Sequence, residues 1–134
     1  MSTARVVTAI VVVFVLSSVF GTIIHAFLLK ADYEQIAQLY RTAADTKFIF
    51  IWIGYLAFSV GSVWVYTKGV EDKPWVGQGL RFGLAMWLIL TLPSFLIAYA
   101  TEPIPQMLLV KQVGYELVNR LVLGLVTALI LQKR

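Results

Sequence analysis

Residues 107–131 read MLLVKQVGYELVNRLVLGLVTALIL, an apolar run that carries Glu116, Asn119 and Arg120 near its middle. About 20 mainly apolar residues cross a bilayer. Ionisable residues inside such a stretch are costly in hydrocarbon, so they face other helices or water and mark candidate functional sites. The uninterrupted apolar part, Leu121 to Leu131, is too short to cross alone. A helix from Ile104 to Leu131 would instead be about 42 Å long at about 1.5 Å per residue. That length matches the hydrocarbon core plus headgroups and lets Lys111 extend outward to the interface. The stretch predicts a spanning helix with a polar layer of its own.

Three further apolar runs precede it: Val6 to Leu29, Phe48 to Tyr66, and Phe82 to Ala100, the last led in by residues 77–81 so that the span covers 80–100. The first is too long for the apolar region of a signal peptide, and Thr22-Ile23-Ile24-His25-Ala26 is a poor cleavage site. A retained helix is expected. Composition agrees. Hydrophobic residues make up 60% of the 134 and charged residues 13%, against about 25% charged in ordinary soluble domains. So short a chain could not hide that much apolar surface in a soluble core. The expected fold is an all-α transmembrane four-helix bundle, one integral-membrane domain over residues 1–134.

Four spans put both termini on one side, with Arg5, Lys68, Lys73, Arg81, Lys133 and Arg134. The other side holds Lys30, Arg41 and Lys47, with Lys111 at the boundary. The excess of cations places the termini in the cytoplasm, in a bacterial inner membrane; the bias is small enough to allow insertion both ways. The net charge of +4 is explained by anionic lipid at span ends rather than by nucleic acid. The chain has no cysteine, which excludes disulfides and thiolate chemistry.

The first loop, Ala31 to Lys47, lacks Gly and Pro, and Asp32 followed by Gln35 resembles a capping box. Tyr33, Ile36, Tyr40 and Ala44 would share one face of a short amphipathic helix in this extracytoplasmic loop. Its alternative is a polar connector with interfacial tyrosines.

On the last helix, Gln112, Glu116, Asn119, Leu123 and Thr127 recur at steps of four and three, one stripe that should face the bundle. Arg120 follows Glu116 by four, a spacing at which side chains meet. Antiparallel spans put Ser17, Ser18, Ser59 and Thr91 at the same depth, and Pro93 frees a carbonyl one turn away. The candidate polar intramembrane site is therefore Glu116, Arg120, Asn119, Gln112, Ser59 and Thr91. It is either polar glue between helices or a site for a proton, an ion or a polar headgroup.

His25 is the only histidine, about one turn from the outer end of the first span. With Glu102 and Lys111 it forms a candidate outer mouth. A hydrogen-bonding role at the interface fits a lone histidine better than metal or haem ligation, which would need Glu102 or another chain. A Ser-His-acid triad lacks the nucleophile elbow. Gly79-Leu80-Arg81-Phe82-Gly83 permits close helix approach, and Arg81 beside it is a candidate for a lipid phosphate or for simple snorkelling. Trp52, Trp64 and Trp75 suit an aromatic belt, and Trp87 suits packing. No internal repeat of the transporter kind is visible. Small multidrug transporters use a carboxylate in their first span and fluoride channels use Gly- and Asn-rich motifs; this chain has neither.

The expectation is a non-enzymatic binding or accessory subunit within the bilayer, without cofactor or metal. Its partners would be membrane lipids and either copies of itself or a larger membrane complex. The alternative is a small oligomeric transporter or channel in which Glu116 coordinates a proton or ion. The third class is a membrane enzyme handling lipid or quinone, for which acid, base and ligand candidates are few.

Overall fold

A computed structural model describes residues 1–133 as helices joined by short connections, with no strand among them. Arg134, counted above among the cations of the terminal side, lies outside the described residues. We label the helices α1 (Thr3–Leu28), α2 (Lys30–Glu34), α3 (Phe48–Gly69), α4 (Trp75–Thr101) and α5 (Gln106–Leu131). All but α2 are long and apolar enough to cross a membrane. Their outer faces agree: Phe48, Phe50, Trp52 and Trp64 are each more than half exposed, a pattern a water-facing surface would not tolerate over so large an area. By length and hydropathy this is an integral membrane protein.

Caps and small residues set how the helices meet. Ser2 accepts from the Arg5 amide as an N-cap. The Arg5 guanidinium in turn reaches the far end of the chain, donating to the Ile130 carbonyl at 2.6 and 3.0 Å and to the Gln132 carbonyl at 2.7 Å. Those carbonyls have no partner within their own helix, so α1 caps α5. Helices α4 and α5 approach at backbone distance. A methyl group at Gly83 would overlap the backbone of Arg120 and Leu121, and one at Gly124 the backbone of Gly79 and Gly83. The Gly79–Gly83 pair therefore has the role its spacing predicts. Buried Gln78 ties the α3–α4 connection down by bonding both ways with Glu71 and donating to the Lys73 carbonyl.

Two apolar clusters fill the interior. Near the terminal side, Ala9, Val13, Val63, Tyr66, Leu123, Ala128 and Leu131 pack together. Near the opposite side, Ile24, Leu29, Ile36, Ile104 and Leu108 do so. The polar residues of α5 lie between them.

The third long helix begins at Trp75, ahead of the expected span, with Gln78 anchoring the turn before it. Two expectations need correction. The loop from Ala31 to Lys47 is no single amphipathic helix. It consists of the one-turn α2, a 3-10 turn at Ala37–Leu39 and a Thr42–Asp45 turn closed by the Thr42 hydroxyl. Tertiary partners break it up. Asp32 is taken by Lys111 at 3.0 and 3.1 Å, so it caps no helix, and Ile36 turns into the second cluster while Ala44 stays exposed. Ser59 is buried, but its hydroxyl donates back to the Tyr55 carbonyl at 2.7 Å. It satisfies itself within α3 and leaves the polar layer.

Two of the long helices contain a widened turn with a five-residue hydrogen bond. In α1 it spans Ile23–Leu28, with the Leu29 amide donating to the Ile24 carbonyl at 2.9 Å. In α4 it spans Trp87–Thr91 and ends just before Pro93. Proline lacks an amide and its ring crowds the carbonyl four residues back; an extra residue in the preceding turn relieves both. Such single wide turns are rare and concentrate at functional sites. One carries His25, and the other carries Thr91.

Candidate functional site

The stripe on α5 is buried along its whole length: Gln112, Glu116, Asn119, Leu123 and Thr127 are all 7% exposed or less. On α1 the matching stripe is Ala9, Val13, Ser17 and Gly21 at steps of four, and His25 continues it one step further. His25 lies within the wide turn and faces α5. His25 Nε2 lies 3.0 Å from Glu116 Oε1, and Asn119 Nδ2 donates to Glu116 Oε2 at 3.0 Å.

On its other side His25 Nδ1 lies 2.8 Å from the Tyr33 hydroxyl, to which Gln112 Nε2 also donates at 3.0 Å. Burial pushes the Tyr33 phenol up to about 12, so it remains a protonated donor. One assignment then uses each donor: Gln112 to Tyr33 oxygen, Tyr33 hydroxyl to His25 Nδ1, His25 Nε2–H to Glu116. Tyr33 fixes the tautomer that points a proton at the carboxylate.

Arg120 approaches Glu116 at 3.9 Å from Nη2 to Oε2, beyond hydrogen-bonding distance. Its Nε donates to the Thr91 hydroxyl at 3.1 Å, and its guanidinium stands 4.2 Å from the centre of the Phe58 ring. A cation over an aromatic face is attracted by the ring's negative face. Among the described residues, the terminal nitrogens of Arg120 find no hydrogen-bond acceptor.

These groups wall a cleft of about 250 Å³ lined by Ser17, Gly21, His25, Tyr55, Thr91, Glu116, Asn119 and Arg120, with Leu90, Ser94 and Phe95 of α4 along one side. Leu90 and Ser94 are exposed and stand at its mouth. The volume is far above the roughly 10–15 Å³ that admits one water. Gly21 leaves room for the Tyr55 hydroxyl, which a methyl group there would displace. Two buried polar atoms of the wall, Ser17 Oγ and Asn119 Oδ1, have no partner. Leaving such atoms unpaired costs roughly 1–3 kcal/mol each.

Of the residues singled out in the sequence, the structure brings together Glu116, Asn119, Arg120 and Thr91, joins Gln112 to them through Tyr33 and His25, and leaves Ser59 out. Glu102 is exposed at the end of α4 and does not join His25. Lys111 is paired with Asp32, and Arg81 is exposed on α4. Among the described residues no group of three or more metal-ligating side chains occurs. The sequence reading missed Tyr33 as the partner of His25, Tyr55 and Phe95 as walls, Phe58 as the surface under Arg120, and Gly21. The four-residue steps Ser17–Gly21–His25 were a legible signal. The aromatic contacts come from different helices and left none.

Comparison of the chain with models of protein families, with characterised proteins and with solved structures finds no match.

Proposed function

We propose that this protein is a small multi-pass binding or accessory subunit that takes the polar head of a membrane amphiphile into the cleft at the Glu116–Asn119–Arg120 layer. The observation that carries this reading is the unmet hydrogen bonding on the cleft wall. Arg120 has free donors, and Ser17 and Asn119 have free acceptors. Buried Tyr66 Oη and Gln112 Oε1 are unpaired away from the cleft as well; what sets the wall apart is that its unmet atoms gather with the free donors of Arg120 around one cavity. With exposed Leu90 and Ser94 at the mouth, a ligand would enter sideways from lipid and leave its tail there.

The proposed setting is a bacterial inner membrane, with both termini and the Gly69 loop in the cytoplasm, α2 on the outer side, and copies of the chain or a larger membrane complex against its apolar faces. The test is native mass spectrometry in mild detergent of the wild type and of Ser94→Trp, which blocks the mouth without touching the polar network. A co-purifying amphiphile should be present in the first and absent in the second at unchanged melting temperature. Retention of the same mass by both would overturn the reading.

A second reading is a small oligomeric transporter with Glu116 as the proton- or ion-coordinating group. The chain Gln112–Tyr33–His25–Glu116 favours it, since it runs from the loop side into the cleft. Proton flux into liposomes that is lost in Glu116→Gln would support it. An enzyme acting on lipid or quinone ranks third, because the one histidine and one carboxylate in the cleft are already bonded to each other.

A further inference from the structure

We infer that the head taken by the cleft is a neutral phenolic ring of the quinol type, bound in preference to its oxidised quinone. This deepens the binding reading above and rests on it.

Charge is the first argument. The formal charges on the wall, Glu116 and Arg120, cancel. Glu116 lies ten residues along α5 from Gln106, about 15 Å at about 1.5 Å per residue. In a hydrocarbon core about 30 Å thick, that is well below the headgroups. A phosphate drawn to this depth would shed its hydration and leave the site with net charge, which is expensive in such a medium. A neutral ring on a hydrophobic tail already dissolves there.

Hydrogen bonding is the second. Both Glu116 oxygens are engaged, by His25 and Asn119. The unmet groups are donors on Arg120, the Ser17 hydroxyl, which can donate or accept, and the acceptor Asn119 Oδ1, so a ligand that meets them all must both accept and donate. A phenolic hydroxyl does both. A quinone carbonyl only accepts and leaves the Asn119 carbonyl stranded. A site that hydrogen-bonds a hydroxyl discriminates strongly against the analogue lacking it, because its own polar groups are then unpaired. Shape is the third: two aromatic residues, Tyr55 and Phe95, line the cleft, which suits a flat head.

The test uses the intact chain in phosphatidylcholine nanodiscs, titrated anaerobically with a short-tailed benzoquinol, the matching benzoquinone, and the quinol's di-O-methyl ether. Saturable quinol binding at least tenfold tighter than that of the other two is expected. Bound preferentially, the reduced form raises the potential of the couple by about 30 mV per tenfold. Ser94→Trp should abolish binding; Ser94→Leu serves if the larger residue prevents folding. Equal binding of quinone, or no saturable quinol binding, would overturn the inference. So would displacement of the co-purifying amphiphile by phosphatidylethanolamine and not by quinol, with the binding reading left standing. If Ser94→Trp still retains that amphiphile, the binding reading itself fails.

Discussion

His25 and Glu116 are 91 positions apart in the chain and 3.0 Å apart between Nε2 and Oε1. The contact joins α1 to α5 at the boundary between the polar layer and the loop-side apolar cluster. The histidine sits on the widened turn at Ile23–Leu28, and the Tyr33 hydroxyl lies behind the ring. A functional outer mouth would make loss of His25 felt in binding or assembly more than in stability; the contact with buried Glu116 adds a stability role. His25→Leu should therefore lower stability by about 1–3 kcal/mol, the cost of an unsatisfied buried group, and adding Glu116→Gln should recover part of it. Thermal unfolding followed by circular dichroism in detergent measures both. A melting temperature unmoved by His25→Leu would mean that water solvates Glu116.

The Glu116–Arg120 pair should respond asymmetrically. Removing one partner of a buried pair costs roughly 3–5 kcal/mol, and replacing both by apolar residues is often neutral or better. Arg120→Leu leaves the carboxylate with two donors, His25 and Asn119, and should fall at or below the low end. Glu116→Leu leaves Arg120 with Thr91 and the Phe58 ring alone and strands the other two donors, so it should cost more. The double leucine variant should regain most of the loss. Equal effects of the two single changes would show that the 3.9 Å approach, not the hydrogen bonds, holds the carboxylate.

Alanine at glycine positions separates packing from helix propensity. At Gly83 or Gly124 the added methyl meets backbone that cannot yield, and overpacking costs about 1–3 kcal/mol or more. At Gly61 and Gly114 it meets open space, and removing glycine from a helix interior gains about 1 kcal/mol. Denaturation midpoints of the four variants should split two and two.

Tyr33 gives a pH dependence. Its phenol, ordinarily near 10.0, is raised to about 12 by burial. Between these values the unfolded chain loses the proton and the folded chain keeps it, so folding stability is fully present below about pH 10 and falls as pH rises through about 12. Tyr33→Phe should flatten that decline while costing some stability at neutral pH. Alkaline unfolding curves of the two proteins make the comparison, and parallel curves would show Tyr33 open to water.

The proposed orientation can be read with single cysteines, since the chain has none of its own. Introduced at Ser2 and Gly69 they should escape an impermeant thiol reagent in intact cells, and at Gln38 they should react. The reverse pattern would invert the topology, and equal labelling at all three would mean insertion in both directions.

The four long helices were legible from the sequence because apolar length over 20 or so residues is a one-dimensional property, and so was the buried stripe Gln112–Glu116–Asn119 on α5, because helical periodicity alone puts those residues on one face. Gly79 and Gly83 announced a close approach for the same reason. The sequence could not show which helix Gly83 meets, or that Arg5 would cap the far end of α5. Ser59 and Thr91 looked alike at matched depth. Only Thr91, on the wide turn ahead of Pro93, faces Arg120, while Ser59 bonds its own helix. The one-turn α2 replaced a predicted amphipathic helix because Lys111 and Gln112 capture Asp32 and Tyr33 from another part of the chain. Spacing along one helix fixes which side chains share a face; how helices rotate and slide against one another is set by contacts summed over all of them, and that sum decided that His25 would close on Glu116 and that a cleft would open beside them.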